Sequence, residues 1–140
     1  MTTWTNRGLL RLADGTFDAD NLTLALLTAT PTDAAARDWN TDADIAAELT
    51  TGAVSNYSRT ALGTATITED DTADETKIDY LDTNFGALVA GGTCTACAAI
   101  DLTSNEVMWV DVFTASAATD GTNYVVQWAS AGAAAVGHAA

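Results

Sequence analysis

Acid–base or nucleophilic catalysis would depend on one histidine, because the 140-residue chain contains only His138. A Ser-His-Asp or Cys-His arrangement needs its imidazole fixed in a cleft, whereas His138 lies two residues from the end of the sequence, where chains are usually mobile. With 19 acidic residues, some carboxylates will be close by chance, but no cluster of aromatic residues marks a saccharide groove beside them. We therefore expect a protein that is not an enzyme and that has no catalytic, cofactor-binding or metal-binding residues.

The two cysteines, Cys94 and Cys97, have the spacing of a redox C-x-x-C motif or of half a zinc site. A redox pair works at a helix N-terminus, where the dipole lowers the thiol pKa, but this pair lies in a Gly/Thr/Ala-rich strand pattern. Structural zinc would need two more ligands, and His138 is the one usual ligand left. Because residues i and i+3 of a strand point to opposite faces, the spacing predicts two small buried thiols on different faces.

Oxygen-bearing side chains alternate at positions 38, 40, 42 and 44, as at the start of a calcium-binding loop. An EF-hand loop places Gly at its sixth position and Glu at its twelfth, where this chain has Ala43 and Leu49. The segment is therefore predicted to be a solvated acidic loop. Residues 42–49 are expected to form a short helix, because acids occupy its first turn and alanine favours helix.

A second acidic run, Glu69 to Glu75, has five acids in seven residues. It separates an alternating segment, Arg59 to Thr68, from a second segment, Lys77 to Leu81, that can pair with it. The pattern predicts a β-hairpin whose acidic tip lies in water, where solvent and salt screen the charges.

The strongest candidates for partner contact are aromatic and basic residues outside the predicted strands. Trp109 and Trp128 lie in strands and are expected in the core, whereas Trp4 lies in an N-terminal segment and Trp39 in a long loop. Tryptophan is enriched at protein interfaces, because its large ring costs little entropy to fix. The same two segments contain three of the four arginines. The predicted partner-contact residues are Trp4, Arg7, Arg11, Arg37 and Trp39. Arg7 and Arg11 are so close in sequence that we expect both to meet acidic groups, on this chain or on a neighbour.

Charge and length limit the function further. The chain has a formal net charge of −14, and 48% of its residues are hydrophobic. Such an acidic protein lacks the basic patch that nucleic acids and anionic membranes require, so neither is an expected partner. No apolar run approaches the roughly 20 residues that span a bilayer. The length suits one domain.

Alternating apolar residues predict strands at 22–28, 59–68, 77–81, 93–102, 107–113 and 124–128. The fold class is therefore expected to be all-β: an antiparallel β-sandwich or small jelly-roll of six to seven strands, with short helical turns and polar terminal arms. The expected organisation is an N-terminal arm or short helix (1–15), the β-domain (16–128) and an Ala/Gly-rich tail (129–140). The β-domain includes a long acidic loop at 31–56, and residues 1–8 are expected to be polar and extended.

The order of these segments resembles a diverse group of small virion proteins from tailed bacterial and archaeal viruses. The matching pieces are Asp18 to Thr30, which contains Leu-Leu-Thr, Asn56 to Leu62, which contains Tyr-x-Arg-x-x-Leu, Asp79 to Phe85, and Gln127 to Gly132. Together they extend over about four-fifths of the chain, and their order carries more weight than any one motif.

The resemblance implies a capsid decoration (cement) protein with a β-sandwich fold. Such a protein would bind the major capsid protein on the outside of the virion as a homo-oligomer, with a trimer favoured, after synthesis in the host cytoplasm. The alternative is a tail-, neck- or fibre-associated virion protein, which would bind a host receptor through residues 31–56. A calcium- or glycan-binding module is a third possibility.

Overall fold

The structure is a computed structural model that describes residues 2–128 and 134–137, the last three of these by their backbone alone. The described chain is mostly β-structure in antiparallel sheets with short helices, which confirms the predicted all-β sandwich class. The strands are β1 (Thr2–Trp4), β2 (Leu22–Leu27), β3 (Thr60–Ala61), β4 (Thr66–Asp70), β5 (Glu75–Asp79), β6 (Thr83–Ala87), β7 (Thr93–Asp101), β8 (Val107–Ala118), β9 (Asn123–Val126) and β10 (Ala134–Gly137). The helices are α1 (Asn6–Asp14), α2 (Asp33–Arg37) and a 3-10 helix at Asp42–Asp44.

The main sheet has five strands in the order β1-β8-β7-β2-β3, and each neighbouring pair is antiparallel. Its β2 strand is buried at all six positions, and Leu24 pairs with Ala99 of β7. Leu22, Leu24 and Leu26 lie in one core layer, as their alternation predicts. Ala25 and Leu27 lie in the other, here called the smaller core layer. The main sheet is therefore covered on both faces at β2.

Two smaller sheets pack on the first face of the main sheet: a three-stranded sheet in the order β10-β5-β4, and the two-stranded sheet β6-β9. The core layer between the main sheet and these two sheets, here called the larger core layer, contains the buried Trp109. The ring centroid of Trp109 lies 5.4 Å from that of Trp4 and 6.1 Å from that of Tyr80. Trp128 follows β9, is half-buried and donates from Nε1 to Thr83 Oγ1 at 3.3 Å.

The predicted acidic hairpin is present as β4 and β5, with a turn at residues 71–74. However, the predicted strand 59–68 is two strands in different sheets. Gly63 interrupts it with a φ of +82°, a left-handed conformation that glycine adopts without strain. The chain therefore leaves the main sheet after β3 and joins the smaller sheet at β4.

Residues 2–8 are not the polar arm that we expected, whereas the short helix expected within the first 15 residues is present as α1, which is capped by Gly15. β1 pairs with β8, so that Trp4 lies opposite Trp109. Thr5, which is buried, accepts a hydrogen bond from Gly8 N at 2.8 Å and donates to Val107 O at 2.5 Å. Thr5 thus caps α1 and joins it to β8 at the same time.

The long loop differs from the expected short helix at 42–49. Only a 3-10 helix forms there, because Ile45 is extended and Ala47 has a φ of +60°. Tertiary contacts override the helix propensity of this segment: Glu48 bridges to Leu27, and Leu49 N donates to Leu26 O at 2.8 Å.

The expected C-terminal tail also contains structure. Within residues 129–140, β10 adds a third strand to the hairpin, with Ala134 opposite Ile78. The sequence shows no periodic apolar face here, since a strand of Ala, Val and Gly lacks the large side chains that would reveal one. His138 lies outside the described residues. No helix in the described part of the chain is long and apolar enough to cross a membrane.

Candidate protein-contact surfaces

Arg7 and Arg11, on one side of α1, both meet Glu106 at the start of β8. Arg11 Nε donates to Glu106 Oε2 at 2.6 Å, and Arg7 Nε lies 3.5 Å from Oε1. The hydrogen bond from Arg11 lowers the pKa of Glu106, although partial burial opposes the shift. The expected acidic partner of both arginines is therefore on this chain, and the contact joins α1 to the main sheet.

The two predicted tryptophan anchors are largely used inside the fold. Trp39 is only 7% exposed and packs in the smaller core layer with Ala36 of α2, so its expected role as a surface anchor is corrected. Trp4 is half-buried, and its ring contacts Phe17 as well as Trp109. The sequence places Trp4 in an N-terminal arm and Trp39 in a long loop, but β1 and α2 bring the two rings to opposite faces of the main sheet.

Arg37 differs from the other bases. Arg7, Arg11, Arg59 and Lys77 each form an ion pair within the chain. Arg37 is exposed at the end of α2 and makes no ion pair with any residue that the structure describes. Its guanidinium can therefore meet a carboxylate from outside the chain.

Two exposed leucines lie on α1, whose first residue contacts Asp38, the residue after Arg37. Leu9 and Leu10 are 45% and 49% exposed on α1, on the side away from Gly8, which packs against Met108. Asn6, one turn earlier, donates from Nδ2 to Asp38 Oδ1 at 3.3 Å, and Asp38 is adjacent to Arg37.

Two carboxylates near Arg37 accept hydrogen bonds from neutral side chains and not from a base. Asp38 accepts the hydrogen bond from Asn6, and Asp33 accepts one from Thr3 Oγ1 at 2.7 Å. The sequence predicted Arg37 as a contact residue but neither α2 nor the exposed leucines. Neighbouring residues are 100° apart around a helix, so a helix that buries Gly8 turns Leu9 and Leu10 away from the buried side.

A second apolar surface lies along the β6-β9 sheet. Leu81, just before β6, is 88% exposed, and Val125 of β9 and Val89 are also exposed. Val125 points outward, because its neighbours Tyr124 and Val126 are buried in the larger core layer. We call Leu81, Val89 and Val125 the β6-β9 strip. The sequence does not reveal the β6-β9 strip, because β6 has a weak strand pattern and a bulge.

The acids at 38–44 have roles within the loop. Asp44 accepts hydrogen bonds from the backbone N–H groups of Asn40 and Thr41 at 2.9 and 3.0 Å, which lower its pKa. Asp42 pairs with Arg59 at 2.9 Å. Among the residues that the structure describes, no three His, Cys, Asp or Glu side chains are grouped to hold a metal ion.

The acidic tip is only partly neutralised. Lys77 Nζ lies 2.5 Å from Asp70 Oδ2 and 3.7 Å from Glu75 Oε1. Glu69, Asp71 and Asp74 are exposed and make no ion pair with any described residue. The tip therefore presents three free carboxylates.

Both cysteine side chains are buried, as predicted, and neither forms a disulfide. The prediction that they face opposite sides is wrong, because the pairing register of β7 shifts between Cys94 and Ala96 and both thiols lie in the larger core layer. Burial raises the pKa of both thiols, most strongly that of Cys97. Such thiols are poor nucleophiles.

Comparison with known proteins found no matching family model, and no match among curated proteins or solved structures.

Proposed function

We propose that this chain is a capsid decoration protein that binds the major capsid protein on the outer surface of a virion and stabilises the shell. It acts as a homo-oligomer, with a trimer favoured, and it is made in the host cytoplasm. The resemblance in segment order supports this function. The described part of the chain is a small β-domain whose first and last strands are both paired within sheets.

The observation that carries the proposal is the β6-β9 strip. Leu81 is almost fully exposed, although fully burying a leucine side chain stabilises it by about 2 kcal/mol. Leu81 precedes β6, Val89 follows it and Val125 lies on β9, so this small sheet and its ends present three exposed apolar side chains. We therefore assign the capsid contact to Leu81, Val89 and Val125.

The first experiment is to measure the copy number of this protein per purified virion by quantitative mass spectrometry against the major capsid protein. Hundreds of copies, at a simple ratio to the capsid protein, are expected. A handful of copies would favour the alternative of a tail-, neck- or fibre-associated protein. Absence from particles would contradict both.

A substitution tests the assigned surface. Leu81→Lys should reduce the amount of protein bound to particles that lack it, while the melting temperature stays unchanged because the side chain is already exposed. Leu102→Lys is the matched control, since Leu102 is a half-exposed leucine in the turn after β7. Equal binding by the two variants would remove the β6-β9 strip from the contact.

The tail or fibre alternative stays second for a structural reason. It requires residues 31–56 to reach a receptor, but Trp39 covers the smaller core layer and Glu48 is paired with Arg59. These contacts use Trp39 and Glu48 within the fold, so neither side chain is available to a receptor.

A further inference from the structure

A small cleft is lined by the loop that follows α1 and by the turn that joins β7 to β8. Its volume is about 330 Å³. The half-buried Phe17 and the buried Met108 supply its apolar surface. Small-molecule sites have volumes of roughly 300–1,000 Å³, so this cleft suits a ligand of one ring.

Contacts within the chain hold the polar side chains of the cleft in place. Arg11 donates from Nε to Glu106 at 2.6 Å and from Nη1 to Thr16 Oγ1 at 3.2 Å. Asn21 donates from Nδ2 to Thr103 Oγ1 at 2.9 Å. Because these groups are positioned before a ligand arrives, binding costs little side-chain entropy.

The same side chains leave both donors and acceptors for a ligand. Arg11 Nη2 and Asn21 Oδ1 make no hydrogen bond with any residue that the structure describes. Asp18 is exposed, and its Oδ1 accepts the backbone N–H of Asp20 at 3.1 Å, which leaves Oδ2 for a ligand. A ligand that satisfies all three must accept from a guanidinium and donate to a carboxylate, and a hydroxyl group does both.

Charge narrows the ligand class further. Asp18 and Asp101 line the cleft, while Asp14 and Glu106 lie against Arg11. These four acids outnumber the two arginines of α1, so the site disfavours phosphates, carboxylates and other anions. An ammonium compound has donors only and would leave the guanidinium without an acceptor. The ligand class that remains is a neutral molecule with several hydroxyl groups.

We propose that this cleft binds the ring of a neutral sugar. The sugar hydroxyls accept from Arg11 Nη2 and donate to Asp18 and to Asn21 Oδ1, while the C–H groups of the ring pack on Phe17. The sequence did not reveal the site, because Phe17 is the one aromatic residue in the lining and the two segments are about 80 residues apart. The inference goes beyond the capsid function and does not rest on it.

The test is a titration of the ¹⁵N-labelled full chain with glucose, galactose and mannose, followed by NMR of the amide groups. A one-ring ligand with a few hydrogen bonds is expected to bind with a Kd of roughly 1–10 mM. At least one of the three sugars should shift the amide signals of residues 16–21 and 101–104. Signals that stay unchanged with all three sugars, or that change only elsewhere, would overturn the proposal.

The matching uronic acid tests the charge selection. Glucuronate, galacturonate or mannuronate keeps the ring and hydroxyls of its parent sugar and adds a carboxylate. It should bind roughly threefold to tenfold more weakly than the parent, because its carboxylate meets Asp18 and Asp101. Binding as tight as that of the parent sugar would contradict a site selected for neutral ligands.

A single substitution tests the assigned contacts. Asp18→Asn keeps the shape of the side chain and should weaken sugar binding by roughly fivefold, because hydrogen bonds to an ionised acceptor are about twice as strong as those to a neutral one. Asp120→Asn is the matched control. Like Asp18, Asp120 is exposed and accepts the N–H two residues further on, from Thr122 at 3.0 Å, but it does not line the cleft.

The control should bind sugar like the unchanged protein. Equal affinities of the two variants would show that Asp18 does not contact the sugar and would overturn the assigned site. The melting temperature establishes that each variant is folded. Sugar binding by a chain that is absent from virions would support this inference and contradict the decoration function alone, so the two outcomes are separable.

Discussion

Two ion-pair clusters attach non-strand segments to the main sheet, and their compositions are opposite. At the start of β8, the single acid Glu106 meets two bases, Arg7 and Arg11, from α1. Just before β3, the single base Arg59 meets two acids, Glu48 and Asp42, from the long loop.

The clusters share a geometry in spite of this difference. In each, one residue beside a strand of the main sheet contacts two residues on the attached segment. Two contact points fix the orientation of a segment as well as its position, whereas one contact allows it to rotate. In a chain with only five bases, this arrangement orients two segments with three arginines.

The clusters differ in what supports them. The loop cluster is reinforced by Tyr57, whose hydroxyl donates to Glu48 Oε1 and accepts from Leu26 N, each at 3.0 Å. The α1 cluster is reinforced by close backbone contact, because a Cβ added at Gly8 would lie 2.1 Å from Met108 O. We therefore expect α1 to be more sensitive to side-chain volume and the loop to be more sensitive to loss of hydrogen-bonding groups.

The largest expected effect breaks the α1 attachment. Gly8→Ala should lower the free energy of unfolding by about 3 kcal/mol, because the carbonyl of Met108 belongs to a paired strand and cannot move away. Urea denaturation measures the change. Gly52→Ala, at a glycine with space for a methyl group, is the control and should have little effect. Equal stability of both variants would mean that α1 does not pack tightly on β8.

The next effect breaks the loop cluster. Arg59→Lys keeps the charge but loses the paired hydrogen bonds to Glu48, and it should cost about 1–2 kcal/mol of stability. Hydrogen exchange at Leu49 N, which bonds to Leu26 O, should become faster. Arg37→Lys makes the same substitution at an unpaired arginine and should change neither quantity. Unchanged exchange in Arg59→Lys would show that the loop does not depend on this cluster.

A smaller, pH-dependent effect on stability is expected from Glu106, the acid of the α1 cluster. The pKa of Glu106 lies below its ordinary 4.5, so the folded state releases this proton more readily than the unfolded state. The stabilisation is present above pH 4.5 and is lost as pH falls through the folded-state pKa. Glu106→Gln should therefore be less stable than the unchanged protein by about 1 kcal/mol near pH 7, and the difference should shrink towards pH 3. A difference independent of pH would contradict an ionised Glu106 as the source.

The smallest effect is expected for the ion pair between Lys77 and Asp70, which belongs to neither cluster. Lys77 and Asp70 lie on neighbouring strands of one hairpin, so their contact attaches no separate segment. Lys77→Met should leave the melting temperature unchanged within error. A clear loss of stability would show that local pairs matter as much as the two clusters do.

The sequence predicted the elements whose side chains alternate strongly. The leucines of β2 and the paired segments around the acidic tip have this property, and both are present in the structure. It also predicted correctly that Arg7 and Arg11 meet acidic groups. Their acid, Glu106, is about 100 residues away in sequence, and no local pattern connects the two positions.

Other features were decided by contacts between distant residues. β1 is three residues long and has no pattern of its own, so its strand conformation depends on pairing with β8. The helix propensity of 42–49 is real but small, and Arg59 and Leu26 engage Glu48 and Leu49 in an extended conformation instead. The first strand and the helix expected at 42–49 were therefore misassigned for the same reason.

By itself, the sequence determined the all-β class, the acidic surface and the burial of Cys94 and Cys97, because these follow from residue type and from alternation along one segment. Only the tertiary structure decided that Trp39 is core, that Arg37 is the unpaired base among the described residues, and that Leu9, Leu10 and Ile67 are exposed. Exposure and pairing depend on which segments meet, and no pattern within one segment shows which other segment will cover it.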